Sequence, residues 1–259
     1  MLNFKNVNII TIIFLVVFLL LKIALDISFW WLFRIVMLWL ILTSIGSSHI
    51  RWNYFINSIH KNSNIDKDMI AITFDDGPHP EFTSKALGLL KKYNVKASFF
   101  CIGQHAEKYP ELVQNILSEG HIIGNHSFSH IDSYGFLSFK KVLMDIEQGQ
   151  EVFKKIANLN LQFFRPPFGV TNPNISKAVN RLKLKTFGWQ VRSFDTVAKD
   201  PDKVFKKISK KIRKGDIILL HDTSEISIEI LEKLLQFLQN KNLKSVTLEK
   251  LFNLRAYAN

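Results

Sequence analysis

Cysteine is nearly absent: the 259 residues contain only Cys101, which excludes an internal disulfide and leaves the redox compartment undecided. Acidic residues are also scarce, 22 against 34 Lys and Arg, for a formal net charge of +12. A basic surface of that kind suits contact with anionic lipid headgroups or an anionic polymer. There is no nucleic-acid motif and no basic run interleaved with aromatics, so nucleic acid is set aside as a partner. Charge of either sign is rare in the first 50 residues, whereas the remainder has the composition of a soluble globular domain. At this length the chain accommodates one sizeable domain plus an appendage.

Asn6 to Leu21 and Ile35 to Ile50 are each sixteen residues without Lys, Arg, Asp or Glu, and Lys22, Asp26 and Arg34 lie between them. A helix crosses a bilayer with roughly 17 to 25 mainly apolar residues, so each run needs a little of its flanks. Lys22 and Arg34 can snorkel, and Trp30, Trp31 and Trp39 suit an interfacial aromatic belt. These features predict a membrane anchor over 1–50, two short transmembrane helices joined near Asp26 to Phe29, with one tilted span as the alternative. A cleaved signal peptide fits less well: the charged start is thin, no small-residue cleavage site follows Leu21, and a second apolar run continues directly. Residues 51–67 gain Asn, Ser and charge and read as a linker, leaving 68–259 for the folded domain. Two spans put that domain on the same side as the N-terminus, and the few positive charges do not choose the side.

Beyond the linker, short apolar runs alternate with amphipathic stretches. Strands are predicted at Met69 to Phe74, Ala97 to Phe100, His121 to Gly124, from Phe163, at Lys185 to Trp189 and at Asp216 to Leu220. Helices are predicted at Glu81 to Tyr93, Glu107 to Glu119, Phe139 to Ala157, Pro173 to Leu182, Pro201 to Arg213 and Ile226 to Gln239. That alternation argues for an α/β fold with a parallel sheet, open or closed into a barrel. Such folds place their sites at the carboxyl ends of the strands. Asp75 and Asp76 follow one predicted strand, Arg165 another, and His221 and Asp222 a third, so three strands aim polar residues at one face. The lysines between Lys203 and Lys214 read as the solvated face of a helix whose Val204, Phe205, Ile208 and Ile212 point inward, with a membrane-surface role as the alternative.

Adjacent carboxylates in Thr73-Phe-Asp-Asp-Gly-Pro78 repel each other unless a positive group sits beside them, and a metal ion is the simplest such group. Read alone, Asp-Asp-Gly-Pro also suits an exposed turn. Asn125-His-Ser-Phe-Ser-His130 supplies two imidazoles four residues apart, a spacing that places both on one side of a helical turn. With one carboxylate they make a three-ligand set that leaves coordination positions open for water or substrate.

In these residues the chain resembles the polysaccharide deacetylases of carbohydrate esterase family four, typified by nodulation-type chitooligosaccharide deacetylases. Five motifs occur in order over about residues 68 to 252: Thr73-Phe-Asp-Asp-Gly-Pro, His126-Ser-Phe-Ser-His130, Arg165-Pro-Pro-Phe-Gly169, Trp189-Gln-Val-Arg-Ser-Phe-Asp195 and Leu219-Leu-His-Asp222. The resemblance implies a distorted (β/α) barrel, usually seven-stranded, behind the N-terminal helical hairpin. It also implies a hydrolase of carbon–nitrogen bonds other than peptide bonds, removing N-acetyl groups from amino sugars of peptidoglycan, a chitin-like polymer or an exopolysaccharide. The implied cofactor is a divalent metal, first of all Zn(2+), with Co(2+), Ni(2+) or Mn(2+) as alternatives.

By position, the resemblance makes Asp75 the general base and Asp76, His126 and His130 the metal ligands. Arg165 would hold Asp75, and the backbone N–H of Phe168 would face the developing oxyanion. His221 would protonate the departing amine, oriented by Asp195; Leu219 is a candidate wall for the acyl methyl and Trp189 a further substrate-side candidate, though both could simply belong to the core. Two departures stand in the fourth motif. Arg192 occupies the place where many members have an acid, adding positive charge near His221, and Thr196 the place where a tryptophan commonly stands. Both bear on the substrate rather than on the metal site. The expected partners are the glycan and, through the helices, membrane lipid, with the domain facing the periplasm or cell exterior. Competing readings are a deformylase or deacetylase of a lipid-linked amino sugar, an O-acetyl esterase, and an inactive glycan-binding module.

Overall fold

Met69–Asp75 has six buried positions in seven, a run that suits only a strand covered on both faces. In the computed structural model, which describes residues 3–258, it is the second of a series of mostly parallel strands. These are β1 (Ser58–Ile59), β2 (Met69–Asp75), β3 (Ala97–Cys101), β4 (Ile122–Asn125), β5 (Asn160–Leu161) and β6 (Phe163–Phe164). There follow β7 (Lys185–Phe187), β8 (Val191–Arg192), β9 (Ile217–His221), β10 (Lys244–Ser245) and β11 (Tyr257–Ala258). The helices are α1 (Phe4–Leu25), α2 (Trp30–Ser48), α3 (Phe82–Lys92), α4 (Gly103–Lys108) and α5 (Pro110–Ser118). Then come α6 (Phe139–Ala157), α7 (Pro173–Arg181), α8 (Pro201–Ser209), α9 (Glu225–Asn240) and α10 (Leu248–Phe252).

The main sheet runs β1-β7-β6-β4-β3-β2-β9-β8, with β10 also beside β2, and every pairing in it is parallel. It is a curled half-barrel with helices around it. Nine strands take part where the resemblance implies seven, and the surplus lies in two-residue pieces such as β1 and β10. β1 comes from the 51–67 segment, which is therefore threaded into the fold. The Ile217 N–H donates to the His60 carbonyl, and Lys61 bridges to Asp216, drawing the two ends of the curl together.

Alternation along β2 sorts its side chains into two layers. Ile70, Ile72 and Phe74 pack outward against Ala86 and Leu90 of α3 and Leu231 and Leu234 of α9. Ala71 points inward with Ile217, Leu219, Phe100 and Phe187, and the same face carries Thr73 and Asp75 toward the carboxyl end. Leu219 is 1% exposed and shares its face with His221, two residues on. The single predicted helix Glu107 to Glu119 is two helices, α4 and α5. Pro110 has no N–H to continue α4, and it opens α5 as its first residue. The strand from Lys185 stops at Phe187 and the helix from Pro201 stops at Ser209, both short of prediction, and β8 has no predicted counterpart.

α1 and α2, at roughly 1.5 Å per residue, are about 33 and 29 Å long, and both are long and apolar enough to cross a membrane. They pack on each other and leave most of their Ile, Leu, Phe and Trp side chains exposed. Trp39, expected in an interfacial belt, instead donates its indole N–H to Asn8 Oδ1 on the facing helix at 2.8 Å. Asn8 sits within an apolar run, and its amide needs a partner there more than the interface needs the indole. Tyr54 joins the hairpin to the domain: it is 3% exposed, bonds Thr43 at 3.1 Å, and leaves no room for a Cβ at Gly46.

Candidate active site

The parallel register brings the polar residues together. Asp75 ends β2 opposite His221 at the end of β9, and Asn125 ends β4 opposite Phe164, one residue before Arg165. The ten residues given roles by the resemblance lie at or immediately behind this end of the sheet.

Asp76 follows in the left-handed region (φ 72°), and this turn takes its side chain off the strand. His126 and His130 do not share a helical turn, contrary to the expectation from their spacing. They flank a loop after β4 in which Ser127 (φ 69°) and His130 (φ 46°) are both left-handed. The loop is held from outside. Asp145 on α6 accepts the N–H groups of Phe128 and Ser129, both at 3.1 Å, and Asn125 Oδ1 accepts that of Ser127 at 2.7 Å. His126 Nδ1 donates to the Arg165 carbonyl at 2.7 Å, which fixes the tautomer with Nε2 facing inward. Nε2 of both histidines lies 3.3 Å from Asp76 Oδ1. One ligand atom from each of Asp76, His126 and His130 falls within 4.8 Å of the others.

Asp76 Oδ1 is buried without a hydrogen-bond donor. A buried carboxylate oxygen with no donor, between two imidazole nitrogens, is the arrangement a cation satisfies. The electrostatics agree. Burial opposes the Asp76 charge, but His126, His130 and His221 outweigh it and hold its carboxyl well below the usual range. Burial, helped by the charge of His126, lowers His130 to about 4, so it is a neutral donor at ordinary pH. Burial also works against a proton on His126, yet Asp75 and Asp76 prevail and raise it. A divalent ion would compete for that position with the proton.

Asp75 is held on the opposite side. Arg165 is 0% exposed, and its Nη1 donates to Asp75 Oδ1 at 2.6 Å and to Thr73 Oγ1 at 2.8 Å. Its Nε and Nη2 donate to the Phe187 and Gly188 carbonyls, and the guanidinium lies over the Phe100 ring at 4.1 Å. Four of the five N–H donors of this buried cation and one ring-facing side are therefore engaged, as burial of a charge demands. Asp75 Oδ2 is left toward His126 Nε2, 3.7 Å away.

His221 Nε2 is 3.8 Å from Asp76 Oδ2, while its Nδ1 bonds Asp195 Oδ1 at 2.8 Å. Burial lowers the affinity of His221 for a proton, but the bond and charge of Asp195, with Asp75 and Asp76, more than compensate and raise it to about 9. Phe168 adopts φ 60°, and its ring lies 4.6 Å from that of His130. Gly169 and Val170 donate their N–H groups back into this turn, and that of Phe168 is not used in those bonds. Trp189 backs the turn so closely that a Cβ on Gly169 would come within 2.3 Å of its ring. Arg192 is exposed over the rings of Trp189 and Phe194, at 5.3 and 4.7 Å, and Thr196 is exposed in the next turn.

Three supporting residues were not singled out from the sequence. Asp145 and Asn125 shape the histidine loop, and His105 Nδ1 donates to the Asp76 carbonyl at 2.8 Å. Asp222, beside His221, is fully buried against Thr83 and the Gly77 backbone, and burial pushes it up to about 7. Of the three, only Asn125 carried a signal, as a polar residue at a strand end, the same signal by which the sequence pointed to Asp222. Asp145 and His105 lie on helices, where a polar residue reads as solvent-facing.

Comparison with known proteins gives one family. Residues 62–187 match the polysaccharide deacetylase domain. Over 190 residues the chain is 34% identical to a peptidoglycan-N-acetylglucosamine deacetylase of Bacillus cereus, covering 72% of this chain and 69% of that protein. Over 154 residues it is 34% identical to a chitooligosaccharide deacetylase of Azorhizobium caulinodans, covering 59% of this chain and 73% of that one. Among solved structures it is similar to a peptidoglycan N-acetylglucosamine deacetylase in complex with an N-oxidanyl-benzamide. There the TM-score is 0.73 at 32% identity, over 78% of this chain and 94% of the other.

Proposed function

The chain belongs to the polysaccharide deacetylase family, and from that premise we propose that it hydrolyses the N-acetyl group of amino sugars in a cell-envelope glycan. The observation that carries the reading is the pairing of a preformed three-ligand set with two separately held proton carriers. Asp76, His126 and His130 would hold a divalent ion, and two imidazoles with one carboxylate suit zinc. Such an ion supplies Lewis-acid chemistry, acidifying a water nucleophile and drawing electron density from the acyl carbonyl.

The remaining steps belong to the protein's own groups. Asp75, fixed through Oδ1 by Arg165, has Oδ2 free to take the proton of the attacking water. The N–H of Phe168 is available to the oxygen on which negative charge develops. His221, kept protonated through Asp195, delivers its Nε2 proton to the departing amine nitrogen, a step an amide requires because an amide anion leaves poorly. Leu219 and Trp189 close the floor and wall where an acetyl methyl would rest.

The same reading takes α1 and α2 as an anchor that keeps the domain at the membrane surface, outside the cytoplasm where envelope glycans are met. Acetate release from N-acetylglucosamine oligomers and from peptidoglycan, by the full chain in detergent, tests the activity. The expected result is release that is abolished by a chelator and restored by zinc. Release that persists at full rate after the ion has been stripped overturns the metal assignment.

A further inference from the structure

The second apolar helix ends against the loops that build the site. Ser47, in its last turn, donates its hydroxyl to the Thr171 carbonyl at 2.6 Å and accepts the Thr171 N–H at 2.9 Å, three residues beyond Phe168. His49 caps that helix, and beside it opens a cleft of about 650 Å³. Its walls carry Arg51, Arg192, Lys210, Lys211 and Arg213, and none of its lining residues is acidic. All five cations are exposed, and among the described residues none of their side chains forms a salt bridge, although Asp216 accepts the Arg213 backbone N–H at 2.8 Å and its charge bears on Arg213.

The guanidinium groups are oriented without being neutralised. Arg51 donates to the Gln190 carbonyl at 3.3 Å, Arg213 to the carbonyls of Lys210 and Ile212, and Arg192 rests on Trp189 and Phe194. Five like charges around one cleft repel one another, and a multiply charged anion relieves that repulsion. Forked N–H donors set in advance match a phosphate group best.

The cleft adjoins the proposed chemistry and the membrane at once. Trp189 forms its wall and also backs Gly169, while Phe194 on its rim directly precedes Asp195, the partner of His221. Apolar side chains stand exposed beside the end of α2: Phe194, 45% exposed, lies on this cleft, and Phe136 and Phe168, 93% and 43% exposed, line a second cleft that includes Ser47. With the end of α2 in contact with the same loops, that apolar rim suits a face turned to the lipid interface.

We propose that this cleft binds the phosphate or diphosphate of a lipid-linked amino sugar, so that the substrate is itself held in the membrane. The proposal rests on the deacetylase chemistry and shifts its substrate from a glycan polymer to a membrane-held amino sugar. The test compares wild type with Lys210→Gln/Lys211→Gln, as full chains in phosphatidylcholine nanodiscs. Two substrates are used: N-acetylglucosamine joined through a diphosphate to a short polyprenol, and neutral chitotetraose. The double variant should lose roughly tenfold in kcat/KM on the diphosphate substrate, mostly through KM, with chitotetraose turnover held within about twofold. Equal kcat/KM for the two enzymes on the diphosphate substrate overturns the proposal. Arg51→Gln, on a different wall, should repeat the selective loss, and a loss that is equal on both substrates counts against it. Including phosphatidylglycerol at about 30% separates the two sources of phosphate. A wild-type preference that survives there supports the substrate assignment, whereas one that vanishes assigns the cleft to bulk lipid headgroups and overturns it. Wild type releasing acetate from neither substrate refutes the deacetylase reading instead.

Discussion

Asp195 grips His221 with both carboxylate oxygens: Oδ1 meets the imidazole Nδ1 and Oδ2 accepts the His221 backbone N–H, each at 2.8 Å. Ser193 donates its hydroxyl to the same Oδ1 at 2.5 Å. The imidazole is thereby fixed in direction, with Nε2 toward the site and its charged form favoured. His221 is raised to about 9, so the acid form prevails below that pH and is lost as pH rises through it. Asp195→Asn removes the largest raising influence. The high-pH limb of the kcat profile should move to lower pH, and amide cleavage should fall roughly 10- to 100-fold. An ester substrate, whose leaving group needs less help, should suffer less. A limb that stays in place in the variant contradicts the assignment of His221 as the acid.

Arg165 and Asp75 form a buried ion pair at 2.6 Å, and breaking one side of such a pair leaves an uncompensated charge. Arg165→Met should cost about 3 to 5 kcal/mol of stability, read as a lowered thermal midpoint of the full chain in detergent. Arg165→Met/Asp75→Asn should recover part of that loss, because the stranded carboxylate has gone. Equal midpoints for the single and double variants would show that the pair carries no coupling.

The sheet and the identity of its strand-end residues were legible because apolar runs and their polar endings are local properties. β2 and β9 appeared almost residue for residue, and Asp75, Asp76, Arg165 and His221 were found as the polar ends of runs. Tertiary pairing decided the rest. β1 lies in a polar stretch and is a strand only because β7 offers it an edge. The His126 to His130 loop owes its shape to Asp145, seventeen residues from Phe128, and no spacing rule within five residues can encode a clamp supplied by another helix. Trp39 read as an interfacial residue because its partner Asn8 is thirty-one positions away.

The Asp145 clamp has its own consequence for the ligands. Asp145→Ala frees the Phe128 and Ser129 amides, and zinc affinity should fall roughly 10- to 100-fold, measured by competition with a chromophoric chelator. Asp145→Asn keeps one acceptor oxygen and should recover part of the affinity. Unchanged affinity in the alanine variant would mean that the histidine loop holds its shape unaided.

His121 gives a pH dependence of stability away from the candidate metal site. It is 3% exposed, its Nδ1 accepts the Ala97 N–H at 3.1 Å, and burial lowers it to about 4. The unfolded chain takes up this proton near pH 6.5, whereas the folded chain resists it until about pH 4. The contribution is complete above about 6.5 and is lost as pH falls from there toward 4, for a total of about 3 kcal/mol. Wild type should lose more stability than His121→Leu between pH 7.5 and 4.5, in thermal melts of the full chain. Parallel losses in the two proteins would contradict the assignment.

The central claim is that the ion and the base are separate, with Asp76, His126 and His130 as ligands and Asp75 as the proton acceptor. The most direct measurement is acetate release by Asp75→Asn on a preparation whose zinc content is determined in the same sample. The expected result is one zinc per chain, as in wild type, with kcat lower by roughly 100- to 10,000-fold. Full zinc content with unchanged kcat would contradict the claim.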